Sequence, residues 1–351
     1  MTHSLSGPPR RLPAGLACLL VSLSLLTGCD TGPTTAKPPA ATAAATPKTA
    51  ASAQAGQWPR TIASVRGDIV LEQRPLRIVS TSVTLTGTLL TINAPLVASG
   101  ATKAGTPITD AQGYFSQWAD VATARGVKPL YQGEPNAEAI IAANPDLIIM
   151  AGTGGDSALK LYEQLNLIAP TLVINYDDKS WQELATILGK ATGHEADAAA
   201  AIARFAQQAE QTRAKLRLPP QPTTAMVYYE DDSGANVWTA ESAQGKLLKD
   251  LGFQLAEVPE SVKGDRSMGV RRDIIQLSGE KFADGLQGRS LLLFAANEAV
   301  AEQLKRNRFL ARNPAVTGKQ VFAMGRDNFR LDYYSASKLL TRLQQLFPGP
   351  A

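Results

Sequence analysis

The residue with the most specific chemistry near the start of the chain is Cys29. Arg10 and Arg11 precede an apolar stretch over residues 12–26, and a threonine and a glycine stand directly before Cys29. This order is typical of a signal peptide, and small residues before a cysteine suit a peptidase that leaves a lipid-modified cysteine at the new N-terminus. We predict a signal peptide over residues 1–28 and a lipid anchor on Cys29; the alternative is an ordinary signal with an incidental cysteine.

Cysteine and histidine are too scarce for several common kinds of site. Cys18 and His3 fall within the predicted signal, which leaves Cys29 and His194. Transition-metal sites usually use several histidine or cysteine ligands, so we expect no metal ion bound directly by the protein. A catalytic triad would depend on His194 alone, and no Gly-x-Ser-x-Gly nucleophile motif is present.

The charge of the chain argues against a nucleic-acid partner. Loss of the predicted signal leaves 33 basic side chains against 31 acidic ones, which lowers the net charge from +4 to +2. This balance is far from the basic surface of a nucleic-acid-binding protein, so anion binding would need a local cluster of cations. After the signal, no apolar stretch reaches the roughly 18 residues of a membrane-spanning helix.

Two short motifs could meet an anion. The hydroxyl residues Ser80, Thr81, Ser82 and Thr84 precede a predicted helix, where they either cap the helix or bind a negative ligand. A glycine-rich segment over residues 152–155 lacks the Gly-Lys-Ser/Thr ending of a phosphate loop, so we interpret it as a tight turn.

The composition predicts four segments after the signal. Residues 29–57 are rich in Pro, Ala and Thr and form a flexible tether. Residues 58–193 alternate short apolar runs with helical patterns, which predicts an α/β lobe. A stretch of strong helix formers over residues 194–217 predicts one long connecting helix, and residues 218–351 form a second α/β lobe.

The expected elements of the two Rossmann-like lobes follow from these patterns. In the first lobe we expect strands at residues 77–80, 95–98, 147–150 and 171–174, with helices at 84–92, 137–143 and 158–166. The connecting helix is predicted over residues 195–216. In the second lobe we expect strands at 224–229, 291–294 and 320–324, with helices at 244–251, 279–286, 298–306 and 335–346.

Seven ordered runs give the chain a specific resemblance over residues 58–347. They are residues 77–87, 151–159, 168–172, 174–182, 238–245, 273–277 and 329–336. On these runs the chain resembles the periplasmic substrate-binding components of siderophore ABC importers. The resemblance implies two lobes bridged by a helix, a ferric siderophore in the cleft between them, and delivery to a membrane permease with its ATPase. The ferric ion would be held only through the siderophore, with no cofactor.

The resemblance also implies which residues contact the ligand. A ferric catecholate is bulky and aromatic and carries about three negative charges, so its binding site needs cations and aromatic faces, and arginine serves both purposes. Phe329 and Arg330 match the family's cleft loop, and Trp238, at a predicted strand end, matches its cleft aromatic residue. The alternatives are core packing for Phe329 and Trp238 and a solvated side chain for Arg330.

Two further cationic positions are less specific. Arg271 and Arg272 precede an apolar segment and form either a second cationic edge of the cleft or a solvated pair. In the first lobe the family pattern has an arginine in the loop over residues 102–110. Here Pro107 stands at that position, and Lys103 is the only cation of the loop.

The resemblance also implies a contact with the permease. Glu138 and Glu280 match an acidic pair, one on each lobe, that docks onto permease arginines; the alternative is a helix-capping role. Asp30 after Cys29 favours retention on the inner membrane, so we expect a periplasmic lipoprotein anchored there. We also expect the protein to be a monomer. A carrier of another iron chelate, haem or cobalamin on the same fold, and a siderophore esterase, are the alternative functions.

Overall fold

The first lobe is built on a parallel sheet. The computed structural model describes residues 56–263, 271–279 and 281–349; Cys29, Glu280 and the tether up to residue 55 lie outside them. A short hairpin of β1 (Arg60–Ile62) and β2 (Ile69–Leu71) precedes the sheet. The sheet strands are β3 (Ile78–Ser80), β4 (Leu96–Ala101), β5 (Lys128–Gln132), β6 (Leu147–Ala151) and β7 (Thr171–Ile174).

The order of these strands fixes where a ligand crevice can lie. They are arranged β5-β4-β3-β6-β7, and every neighbouring pair is parallel. The chain therefore builds outward from β3 in one direction and then from β6 in the other, and crevices in open α/β sheets lie at the carboxyl ends of the strands at such a switch. Strands β3, β6 and β7 are wholly buried, which explains their continuous apolar sequence.

Helices cover both faces of the first sheet. They are α1 (Val83–Thr91), α2 (Ala119–Ala124), α3 (Ala137–Ala142), α4 (Tyr162–Asn166) and α5 (Trp181–Thr192), with a 3₁₀ turn at Leu159–Leu161. We did not predict β1, β2, β5, α2 or α5. The sequence does mark both ends of helix α5. Ser180 and Glu183 form a capping box at its start, and it ends at Gly193, whose φ of 71° favours glycine.

The second lobe contains a mixed sheet. Its strands are β8 (Thr223–Tyr228), β9 (Gly234–Trp238), β10 (Ile274–Ser278), β11 (Ser290–Leu293) and β12 (Val321–Ala323), in the order β10-β9-β8-β11-β12. Strands β8, β11 and β12 are parallel, whereas β9 runs antiparallel to both β8 and β10. The alternating pattern did not reveal this antiparallel edge, because β8 and β9 are joined by a tight turn rather than a helix.

The helices of the second lobe are short. They are α7 (Ala243–Asp250), α8 (Lys281–Gly285), α9 (Glu298–Lys305) and α10 (Pro314–Thr317), with 3₁₀ turns at Glu260–Val262, Arg308–Leu310 and Arg326–Asn328. The long helix α6 (Glu195–Lys215) joins the lobes, close to the predicted bounds of 195–216. The two α/β lobes with a long connecting helix are thus confirmed.

The connecting helix does not stand alone. The C-terminal helix α11 (Tyr333–Leu346) packs on α6 and also on α1 of the first lobe. Gln344 donates a hydrogen bond to the Thr212 hydroxyl at 2.6 Å, and Gln208 donates to the Ser337 carbonyl at 3.3 Å. One apolar core then extends from Phe205 of α6 into both lobes. Because burial of this surface favours the packed arrangement, the helices form a stiff layer behind the cleft.

Candidate functional site

A cavity of about 270 Å³ lies at the carboxyl ends of the first sheet and is bordered on its other side by the second lobe. From the first lobe it is lined by residues in or after β3 to β6, among them Thr81, Thr84, Phe115, Tyr131, Gly155 and Asp156, and from the second lobe by Phe329 and Arg330. This is the position expected for a ligand crevice at the switch point between β3 and β6. The hydroxyl residues Thr81 and Thr84 and the predicted ligand contacts Phe329 and Arg330 therefore line the same cavity.

The N-terminus of α1 is already occupied by a carboxylate. Ser82 is the N-cap and accepts a hydrogen bond from the Leu85 amide, so its capping role is confirmed. The Thr84 amide and the Ser82 hydroxyl both donate to Asp156 Oδ2, at 3.0 and 2.5 Å. A helix N-terminus stabilises a negative group, and here the Asp156 carboxylate occupies the position at the start of α1 that an anionic ligand would otherwise use.

Two tyrosines support the wall from the first lobe, Tyr131 as a lining residue and Tyr176 through Asp156. The Tyr131 hydroxyl donates to the Thr81 carbonyl at 2.8 Å, and the Tyr176 hydroxyl donates to Asp156 Oδ1 at 2.8 Å. Burial raises the pKa of both phenols well above the ordinary value, so both remain protonated donors. A methyl group on Gly154 would overlap the Tyr176 hydroxyl, so this glycine is required by the close approach of the ring.

Arg330 lies among aromatic rings, as its predicted role requires. Its guanidinium carbon is 4.8 Å from the Phe329 ring centroid, 5.4 Å from that of Tyr176 and 6.0 Å from that of Trp238. The side chain is 14% exposed and lies 3.5 Å from Asp273 Oδ2. Arginine over aromatic faces forms cation–π contacts and keeps its hydrogen-bond donors for a ligand.

The backbone of the Arg330 loop is fixed from both lobes. Gln244 of α7 donates to the Phe329 carbonyl at 3.0 Å. Gln117 of the first lobe donates to the Arg330 carbonyl at 3.3 Å and to Asp332 at 3.2 Å. Asp332 caps α11, and its complete burial raises the pKa of its carboxyl from 3.8 to about 6. The loop therefore carries Arg330 on a rigid support.

Arg271 and Arg272 differ in environment. Arg271 is 5% exposed and forms a two-pronged ion pair with Asp273, with N–O distances of 2.9 and 2.5 Å. Burial opposes the charged form, but the hydrogen bonds and charge of Asp273 outweigh it, so the pKa of Arg271 is raised. Arg272 is 70% exposed and pairs with Asp178 of the first lobe at 3.2 Å. The solvated alternative therefore fits Arg272 and not Arg271.

Of the two aromatic residues predicted to contact the ligand, Phe329 lines the cavity and Trp238 does not. Trp238 ends β9, as predicted, and its ring is buried in the core, where its Nε1 finds no hydrogen-bond partner among the described residues. Phe329 lines the cavity and meets Phe115 edge to face at 6.3 Å. Packing and ligand contact are compatible for Phe329, whereas Trp238 reaches the site through Arg330.

Lys103 lies apart from this cluster. Its residue is exposed, and the loop it belongs to contributes Thr102 and Ile108 to the cavity, but not Lys103 itself. The described lining residues from the first lobe therefore include no cation. The cationic side of the cleft comes from the second lobe.

In the described part of the chain, His194 and the potential metal ligands do not form a further site. His194 lies at the start of α6 with its ring nitrogens near Arg74 and Asp197, away from the cavity. Among the described residues, no three His, Cys, Asp or Glu side chains are grouped as a metal site would need. Within the same residues, no helix is long and apolar enough to cross a membrane.

Three residues of the site, Asp273, Tyr176 and Asp156, were not predicted from the sequence. Two signals were available. Arg271 and Asp273 are two residues apart directly before β10, so they are close enough in sequence for their opposite charges to pair. Tyr176 follows β7 by two residues, at the same edge of the sheet as the other site residues. Asp156 carried no comparable signal, because its partners are distant in sequence.

A match to a protein-family model shows which family the chain belongs to. Residues 78–327 match the family model described as periplasmic binding protein. The chain belongs to this family. Members of the family are binding proteins, so the chain is a binding protein and not an enzyme, and the esterase alternative is excluded.

Individual relatives agree with the predicted resemblance. The chain is 54% identical over 297 residues to the ferric enterobactin-binding periplasmic protein FepB of Escherichia coli, covering 85% of this chain and 93% of that protein. The crystal structure of holo-ViuP superposes with a TM-score of 0.77 at 34% identity, covering 84% and 96% of the two chains. FeuA of Bacillus subtilis, a triscatecholate siderophore-binding protein, shares the fold, with a TM-score of 0.61 at 16% identity and coverage of 82% and 98%.

Proposed function

We propose that this protein captures a ferric catecholate siderophore of the enterobactin type outside the cytoplasm and delivers it to an ABC permease. The observation that carries the proposal is the buried Arg330 among three aromatic rings at the cavity between the lobes. A ferric tris-catecholate presents aromatic rings and negative charge together. An arginine framed by aromatic faces matches both properties, and 54% identity to FepB supports the same ligand class.

The size of the cavity bears on how the ligand enters. A volume of about 270 Å³ is below the ~300–1,000 Å³ usual for pockets that enclose a drug-sized ligand. A bulky chelate would therefore extend beyond this cavity or require the lobes to move apart. The helical layer behind the cleft favours a movement of small amplitude.

A titration of tryptophan fluorescence tests the ligand class. We expect tight quenching by ferric enterobactin and weak binding of a neutral ferric hydroxamate such as ferrichrome, because only the former supplies negative charge to the arginines. Haem and cobalamin serve as the other arms of the experiment. Equal or tighter binding of any of these three would replace the catecholate assignment.

We also propose that Glu138 and Glu280 dock onto arginines of the permease. Glu138 is exposed in the first turn of α3, where the Asn136 side chain, not Glu138, accepts the hydrogen bond from the Ala139 amide at 2.9 Å. No hydrogen bond or ion pair joins Glu138 to another described residue, which leaves its carboxylate available. Glu280 lies outside the described residues, and its role rests on the sequence.

The docking proposal is tested by the Glu138→Ala, Glu280→Ala double variant. We expect siderophore affinity to be unchanged and uptake by cells to be abolished. Glu163→Ala with Glu302→Ala is the matched control, since these also remove one exposed glutamate from each lobe. Loss of siderophore affinity in the first double variant would instead place these glutamates in the pocket or the fold.

Lipid attachment at Cys29 and retention on the inner membrane complete the proposal. Cys29 lies outside the described residues, so its support is the order of the signal sequence. Mass spectrometry of the mature N-terminus should show an acylated Cys29. An unmodified terminus near residue 55 would contradict the anchor and leave the ligand proposal intact.

A further inference from the structure

Asp273 lies between two buried arginines: Arg330, which lines the cavity, and Arg271, whose guanidinium carbon is 5.9 Å from the Tyr176 ring centroid. Arg271 donates Nε to Oδ1 at 2.9 Å and a terminal nitrogen to Oδ2 at 2.5 Å, and Arg330 approaches Oδ2 at 3.5 Å. The Asp273 side chain is 6% exposed. Within the described residues, neither arginine has an ion pair with any other carboxylate.

A carboxylate at this position is unexpected on charge alone. In a site that receives an anion, a buried negative charge lowers the local potential and opposes the ligand. Arg271 and Arg330 have long side chains that lose much rotamer freedom when they are fixed. A fixed carboxylate that orients both guanidinium groups before the ligand arrives removes this cost from binding.

The geometry of the two pairs differs in a way that matters for function. Two of the five N–H donors of Arg271 are committed to Asp273. The separation of 3.5 Å to Arg330 is beyond a normal hydrogen bond, so Asp273 orients Arg330 by charge but leaves its donors free. Asp273 thus holds Arg271 firmly and presents Arg330 with its hydrogen-bonding capacity intact.

We propose that Asp273 is a positioning residue for anion recognition, which holds Arg271 and Arg330 in the geometry that binds the chelate. The proposal rests on the proposed ferric catecholate function. Charge alone predicts that removal of the Asp273 carboxylate strengthens the binding of an anion. The proposal predicts the opposite, that its removal weakens binding.

The Asp273→Asn variant tests that sign, because it removes the charge with little change in shape. We expect affinity for ferric enterobactin to fall at least tenfold by fluorescence titration. The matched control is Glu302→Gln, which makes the same change of net charge at an exposed ion pair remote from the cleft and should leave affinity within twofold. Equal or tighter binding by Asp273→Asn would overturn the proposal.

A double-mutant cycle separates positioning from a general structural effect. If Asp273 acts through Arg330, the loss caused by Asp273→Asn should be at least threefold smaller in an Arg330→Ala background than in the wild type. Equal losses in both backgrounds would mean that Asp273 does not act through Arg330. Wild-type protein that binds no ferric catecholate would overturn the proposed function itself, which is a distinct result.

A second variant covers failure of Asp273→Asn to fold, since that change leaves Arg271 buried without its charged partner. The Arg271→Met, Asp273→Asn variant removes the charge of both partners together. We expect its affinity to be at least threefold below that of Arg271→Met, because Arg330 has also lost its oriented partner. Affinity equal to or above that of Arg271→Met would overturn the proposal.

Discussion

The two walls of the cleft offer a ligand different chemistry. The wall from the first lobe presents hydroxyl groups, the rings of Phe115 and Tyr131 and the carboxylate of Asp156, whereas the wall from the second lobe presents Phe329 and Arg330. The difference follows from what occupies the N-terminus of α1. Because Asp156 fills that position, a negative ligand finds its attraction on the second lobe, and the first lobe contributes shape and aromatic surface.

The largest expected effect compares the two walls directly. Arg330→Ala should weaken binding of ferric enterobactin by about ten- to a hundredfold, since removal of a partly desolvated cation opposite an anion costs roughly 1.5–3 kcal/mol. Lys103→Ala on the first lobe should change the affinity by less than threefold, because Lys103 does not line the cavity. Fluorescence titration measures both. A greater loss from Lys103→Ala than from Arg330→Ala would reverse the comparison.

The rigidity of the wall from the first lobe can be tested at two adjacent glycines. Gly154 has a φ of 87°, and an alanine there would also displace the Tyr176 hydroxyl from Asp156. We expect Gly154→Ala to lower the free energy of unfolding by about 2 kcal/mol and to weaken binding. Gly155→Ala is the matched control, because a methyl group at Gly155 meets nothing within 4 Å. Equal denaturation midpoints for the two variants would refute this account of Tyr176.

A smaller effect concerns the loop that carries the wall from the second lobe. Burial raises the pKa of Asp332 from 3.8 to about 6, so the folded state holds a proton that the unfolded chain releases between these values. The contribution of this group to stability is therefore complete below about pH 4 and declines as the pH rises through 6. We expect it to be about 1 kcal/mol more favourable at pH 5 than at pH 7.

The Asp332→Asn variant isolates this contribution, because asparagine is also a good helix N-cap. The free energy of unfolding of the variant minus that of the wild type should become about 1 kcal/mol more negative from pH 7 to pH 5, because only the wild type gains stability. Urea denaturation at both pH values measures it. A difference that stays constant over this range would show that Asp332 has an ordinary pKa.

The smallest effect is expected at the rim where the two walls meet. Arg272 pairs with Asp178, and Lys246 of α7 donates to the Asp178 carbonyl at 2.6 Å and to Glu183 at 2.9 Å. Exposed ion pairs contribute only about 0–1 kcal/mol, so Arg272→Ala should weaken binding less than threefold. A tenfold loss would mean that the ligand contacts the rim as well as Arg330.

Much of the architecture could be predicted from local patterns. The apolar runs of β3, β6 and β7 and the long helix α6 followed from composition and periodicity, and so did the position of Trp238 at a strand end. These features depend on residues close in sequence, where burial and helix propensity act directly. The scarcity of cysteine and histidine likewise argued from composition alone against a metal ion bound directly by the protein.

Only the tertiary structure decided how the charges of the cleft are paired. Arg271 and Arg272 are adjacent and alike in sequence, yet one is buried against Asp273 and the other lies at the rim against Asp178. Residues 272 and 273 form a bend before β10, so the alternation of an extended strand does not apply to them, and local sequence does not show which arginine is buried. The contacts of Asp156 with Ser82 and Tyr176 join segments distant in sequence, and folding alone brings them together.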